Sequence, residues 1–181
     1  MHSDSHSYPS FQPALRVSAI KLCSALALSF AVAACSSTPQ PAKEQTKLEL
    51  QIDVSDGVNP DEQGRAAPVM VRVYELKSAA SFDAADFFSL QNDGKKLLGA
   101  DALVTDEFIL RPGDKQTLRR TANPEAVAIG VLAGYRELGQ SVWRATYKLA
   151  AAPDAAWYRK TNKAKLKIYL DQQAITITEL D

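Results

Sequence analysis

The sequence predicts a mainly β fold, a two-sheet sandwich of about eight strands with one short inserted helical segment. Three observations lead there. Apolar and polar residues alternate with period two in most segments after residue 46, only one stretch changes to helical spacing, and turn residues punctuate the rest. A doubly wound α/β fold needs a helix between successive parallel strands, and those helices are missing from the pattern. Two packed sheets are the natural closure.

The first strand starts at Lys47, with Leu48, Leu50, Ile52 and Val54 on one face and Lys47, Glu49, Gln51 and Asp53 on the other. The second starts at Pro68. Val69, Val71 and Val73 face one way and Met70, Arg72, Tyr74 and Leu76 the other, so both faces are partly apolar and the strand belongs inside a sheet, covered on both sides. Between Ser78 and Asn92 the spacing of Phe82, Ala84, Ala85, Phe87, Phe88 and Leu90 predicts a short helix, with Ser78 and Ser81 as candidate N-caps. Leu97–Val104 reads as a further helical turn or two, which bounds the insertion near 78–104. Glu107–Arg111 and Lys115–Thr121 form a hairpin around Pro112-Gly113-Asp114. Ala126–Gly134 is a run without charge and therefore a buried strand; Gly130 and Gly134 fit G-x-x-x-G, but the run is too short for a membrane helix, which argues against a dimerisation motif. Trp143, Ala145, Tyr147 and Leu149 alternate with Val142, Arg144, Thr146 and Lys148, giving a sixth strand whose aromatics belong to the core. Pro153–Asn162 is a loop or short helix. Lys163–Asp171 and Ala174–Glu179 complete the set.

Ahead of the domain lies a leader. Arg16 and Lys21 precede an apolar run, Leu22 to Ala34, which is long enough for a signal-peptide core and short of the roughly 20 residues that span a bilayer. The run closes on Val32-Ala33-Ala34-Cys35, which resembles a bacterial lipobox. That pattern implies removal of residues 1–34 and lipidation of Cys35, first on the thiol and then on the freed amine. The alternative is an ordinary cut at Ala31-Val32-Ala33, with Cys35 incidental. Ser36, in place of the aspartate that favours inner-membrane retention, implies export to the inner leaflet of the outer membrane. The polar start, His2 to Pro13, is long for a leader, and a start site nearer Arg16 would account for it. Ser36 to Thr46 is a flexible tether rich in Ser, Pro and Gln, able to reach about 35–40 Å.

Removing residues 1–34 from the 181 leaves 147, with 19 Lys plus Arg and 20 Asp plus Glu, because the leader holds Arg16, Lys21 and Asp4. A nearly neutral domain carries no global field toward nucleic acid. Cys23, His2 and His6 also fall in the leader and Cys35 is consumed by lipid, so the mature domain has no free cysteine or histidine. This excludes a disulfide, a Ser-His-Asp triad, a cysteine nucleophile and the usual zinc, copper and haem ligands. No enzyme, metal or cofactor is expected beyond the covalent lipid. Asp53, Asp56, Asp61 and Glu62 cluster around a loop but miss the spacing of a calcium loop and read as solvated turn residues.

Taken together, Asn59-Pro60-Asp61, Gly64-Arg65 and Pro68-Val69-Met70-Val71-Arg72-Val73-Tyr74-Glu75-Leu76 resemble the start of the TssJ (SciN) lipoproteins of bacterial type VI secretion systems. Phe82 with Ala85-Asp86-Phe87-Phe88 and Leu90, Phe108, Pro112-Gly113, Ile129-Gly130-Val131, Tyr135-Arg136 and Trp143-Arg144 resemble later blocks of that family in the same order. The resemblance implies a transthyretin-like sandwich at the outer membrane that binds the periplasmic C-terminal region of TssM, and through it TssL. It further implies contact through the loop between the first two strands, here Ser55 to Ala67. Carried over by position, Asn59, Pro60, Asp61, Gln63, Gly64 and Arg65 are the candidate contacts, with Arg65 foremost because a guanidinium can pair bidentately and stack. Turn formation alone would also explain Asn59, Pro60 and Gly64, and Arg65 could pair with Asp61 or Glu62.

Two features stay open. Arg159, Lys160, Lys163, Lys165 and Lys167 place five cations within nine residues. They suit lipid phosphates or an acidic partner, but protection of a sheet edge is the preferred reading. Asp86 can cap its helix or pair with Arg72 or Arg136. Two other function classes compete: a small-ligand carrier, which needs an apolar cavity, and a cell-wall hydrolase, which needs paired carboxylates that no spacing here advertises.

Overall fold

The computed structural model describes residues 44–153 and 162–180. The leader, Cys35, most of the tether and the Arg159–Lys160 end of the basic cluster lie outside them. Eight strands form two four-stranded sheets. The first has the order β4-β1-β7-β8, built from β1 (Lys47–Val54), β4 (Lys115–Thr121), β7 (Lys163–Leu170) and β8 (Ile175–Glu179). The second has the order β3-β2-β5-β6, from β2 (Val69–Leu76), β3 (Ala102–Leu110), β5 (Ala128–Ala133) and β6 (Arg144–Lys148). Neighbouring strands are antiparallel except β1 and β7, which run parallel from Lys47↔Lys163 to Val54↔Leu170.

The predicted alternation is what fills the space between the sheets. Leu48, Leu50, Ile52 and Val54 meet Leu166, Ile168 and Leu170 from one side and Val69, Val71, Val73, Ile129 and Val131 from the other, all buried. The outer face of β2 is covered too, as its two-sided pattern requires. Tyr74 and Leu76 pack with Ala128 and Leu132 of β5 beneath Phe82 of α1 (Ala80–Ala84) and Phe87, Leu90 and Leu98 of α2 (Phe87–Leu98). Gly130 allows that close approach: a Cβ there would lie 2.9 Å from Leu76 Cδ1 and 3.0 Å from the Phe82 ring. Trp143 packs against both clusters and meets Phe87 edge-on at 5.5 Å. Arg144 locks the end of α1 by donating to the carbonyls of Phe82 and Ala85.

Three expectations are corrected. The helical insertion is two helices, and the helix reading of Leu97–Val104 fails after Leu98: a 3-10 turn, Gly99–Asp101, leads straight into β3. Ala102, Val104 and Thr105 are strand because they pair with Leu76, Glu75 and Tyr74, a long-range ladder that local spacing cannot reveal. Neither serine is the N-cap of α1, which is Ala79, although the Ser78 hydroxyl accepts from Ala80 N. Asp86 is the cap of α2. It accepts from Ser89 N at 3.0 Å and Ser89 Oγ at 2.6 Å, and these bonds hold its carboxyl below the ordinary range. The third correction concerns the lysines of β7. That strand lies between β1 and β8, so they protect no edge.

Candidate functional site

One end of the sandwich gathers the loops that follow β1, β3, β5 and β7, and they are tied to one another. Val54 N donates to Asp114 O, Ser55 N to Leu170 O, Asn59 N to Gln172 O and Val142 N to Gln173 O. The Tyr135 hydroxyl donates to the Ala174 carbonyl at 2.9 Å, and burial, reinforced by the nearby Asp171 carboxylate, pushes its pKa well above the phenol range. The β1–β2 loop is therefore held on a braced platform.

Within that loop the six predicted residues divide into two groups. Asn59 is buried, in a left-handed conformation with φ +50° that asparagine tolerates better than most side chains. Its Nδ2 donates to Pro68 O and its Oδ1 accepts from Arg136 N, both at 2.8 Å. Asn59 thus staples the loop to the start of β2 and to the β5–β6 loop, and half-buried Pro60 carries the chain out from it. Asp61, Gln63, Gly64 and Arg65 form a compact turn in which Asp61 is half-buried and the other three are exposed. Asp61 Oδ1 accepts from Gln63 N and Arg65 N, while Arg65 Nε donates to Asp61 Oδ2 at 2.8 Å and a second guanidinium nitrogen lies 2.7 Å from the same oxygen. Gly64 takes φ +76° to close the turn.

The pairing of Arg65 with Asp61 is present, yet it leaves the Arg65 side chain 76% exposed. The clasp orients the guanidinium without covering it. Bonds from Arg65 hold the Asp61 carboxyl below its ordinary range, so it is ionised near neutral pH and the clasp closed. A groove of about 490 Å³ separates this turn from Arg136 and Glu137 of the β5–β6 loop. Those two residues went unmarked as site residues because nothing local signals them; the bond from Arg136 N to Asn59 spans 77 positions. Among the described residues, no cluster of acidic, histidine or cysteine side chains could hold a metal ion.

Asn59→Ala is expected to destabilise the domain by about 2–3 kcal/mol, through two stranded buried polar groups and a left-handed backbone. Asn59→Gly keeps the loss of the bonds but relieves the backbone, so it should fall between alanine and the parent in urea unfolding. An alanine variant as stable as the parent would show that the staple contributes nothing.

The family model described as type VI secretion lipoprotein (VasD, EvfM, TssJ) matches residues 46–173, from the edge of β1 to the β7–β8 turn. The chain belongs to this family. Among solved structures it is similar to the type VI lipoprotein TssJ1 of Pseudomonas aeruginosa, at 32% identity and a TM-score of 0.67 over 76% of this chain and 98% of that one. It is also similar to Lip of Serratia marcescens, a membrane-bound component of that organism's type VI system, at 31% identity and a TM-score of 0.65 over 76% and 99% of the two chains. A chain of a type VI membrane complex matches at 25% identity and a TM-score of 0.60, over 75% of this chain and 98% of that one. No curated protein matches by sequence. As a TssJ-family member the protein is a structural lipoprotein of a secretion apparatus, and its two-sheet fold is the family's.

Proposed function

We propose that this protein is anchored to the periplasmic face of the outer membrane by lipid on Cys35, and docks the periplasmic C-terminal region of TssM, with TssL behind it. The observation that carries the reading is the Asp61–Arg65 turn, exposed and pre-shaped on a braced platform in a chain of the TssJ family. Attachment and docking lie at opposite ends of one strand. The tether enters at Lys47 and the loop leaves after Val54, and the eight residues of β1 separate them by about 25 Å. With β4 and β7 hydrogen-bonded on its two sides, β1 is a suitable link between an outer-membrane anchor and a partner rooted in the inner membrane. Tethering also raises the local concentration of the loop near its partner.

The carrier reading is weaker, because the middle of the inter-sheet space is filled by Leu50, Ile52, Val71, Val131, Leu166 and Ile168, and the cavity of about 320 Å³ beside Ala122, Val127 and Leu149 lies at the tether end, outside that packed centre. The test is co-purification: TssM is expected to accompany the tagged chain out of detergent-solubilised envelopes. Recovery of the chain without TssM from secreting cells would contradict the proposal.

A further inference from the structure

Among the described residues no helix covers the outer face of the first sheet, and the composition of that face is one-sided. Cross-strand register places Lys115 and Arg119 of β4, Lys47 of β1, and Lys163, Lys165 and Lys167 of β7 on that face. Glu49 and Asp53 are the acidic residues among them, and threonines occupy the β8 positions that pair with Lys167 and Tyr169. Six cations against two carboxylates stand out in a chain with 21 of each sign overall. Asp53 is taken by Lys167 at 2.9 Å and Glu49 by Arg119 at 3.1 Å. The excess gathers at the tether end, where Lys47, Lys163, Arg119 and Lys165 surround Glu49 along a shallow groove of about 420 Å³.

We infer that this face binds the phosphate-bearing headgroups of an anionic phospholipid surface. Two observations favour lipid over an acidic protein. The cations sit beside Lys47, twelve residues after Cys35, so they are held within tether length of the proposed anchor point. The surface is also broad and polar, with Tyr169 its one large partly apolar side chain, which suits a sheet of headgroups better than a protein patch, where apolar and aromatic anchors supply the affinity. An acyl anchor combined with a basic patch is a two-signal attachment. Contact through the tether-side rows holds the domain against the membrane by its Lys47 end and leaves the Ser55–Ala67 loop, at the far end of β1, clear of it.

The face's location rests on the proposed anchoring, but its chemistry does not, and the test separates them. The mature chain with Cys35→Ser carries no lipid and is sedimented with vesicles of phosphatidylethanolamine and phosphatidylglycerol at three to one, or of phosphatidylcholine alone. Retention is expected on the anionic vesicles only, and it should vanish at about 0.5 M salt, where the screening length shrinks to a few ångströms. Lys47→Gln with Lys163→Gln should weaken it roughly thirtyfold, while Lys96→Gln, which removes an exposed cation from α2 over the other sheet, should leave it unchanged. Equal retention on both vesicle types, or none on the anionic ones, would overturn the inference and leave docking standing. Loss of TssM binding in the double lysine variant would also overturn it, and would assign the face to an acidic protein surface.

Discussion

The Cys35→Ser chain is expected to fold, to be lost from the outer-membrane fraction, and to support no type VI secretion. Each acyl methylene buried in a bilayer contributes about 0.8 kcal/mol, and it takes two or more chains for attachment to become stable. Serine receives neither the thioether-linked lipid nor the processing that follows it, so the whole term is lost. The basic face cannot replace it, since electrostatic attraction at an exposed surface is reversible and screened by salt. The fold itself is indifferent to residue 35, because the two core clusters of the described residues are built from Leu48 onward. Fractionation, together with effector export, reads out both parts. Secretion unchanged by the substitution would contradict a bridging role.

Arg120→Met should destabilise the domain by about 3–5 kcal/mol, the largest effect expected of any single polar substitution here. Arg120 on β4 reaches across to the other sheet. Its Nε lies 2.5 Å from Glu75 on β2 and a terminal nitrogen lies 2.7 Å from Asp106 on β3. Burial opposes the guanidinium charge, but the hydrogen bonds it donates to Asp106 and Glu75 outweigh that and raise its pKa. Glu75 is fully buried, and its other oxygen accepts from Asn123 N at 2.7 Å. Methionine would remove the cation and strand that carboxylate between the sheets. Glu75→Leu combined with Arg120→Met should recover most of the loss, because the cost lies in the unpaired charge rather than in the absence of an ion pair. Urea unfolding of the single and double variants measures both, and a single-variant loss below about 1 kcal/mol would show that water already reaches Glu75.

These residues also show where sequence is informative. Leu48 to Val54, Val69 to Val73 and Leu166 to Leu170 declare their inner faces, since alternation is a local consequence of pleating. The two-sided pattern of β2 correctly requires a second cover, which the helices supply. Glu75 continues the Val69–Val71–Val73 face, and a charge in that series was a legible signal of a buried partner, though Arg120, 45 positions away, was not. The parallel pairing of β1 with β7 depends on non-local closure. For that reason the lysines of β7 looked like edge protection until their strand proved to be interior. At the loop, the sequence does not separate roles: Asn59 is a buried staple and Arg65 an exposed tip, and both are polar turn residues.

Docking of TssM by the Asp61–Arg65 turn is measured by calorimetric titration of the mature Cys35→Ser chain with the periplasmic C-terminal region of the cognate TssM. Saturable binding is expected, weakened about tenfold to a hundredfold by Arg65→Ala, the loss of a well-placed contact residue at an interface. Binding that is indifferent to Arg65→Ala would place the docking surface elsewhere on the domain, and the absence of binding would contradict docking to TssM.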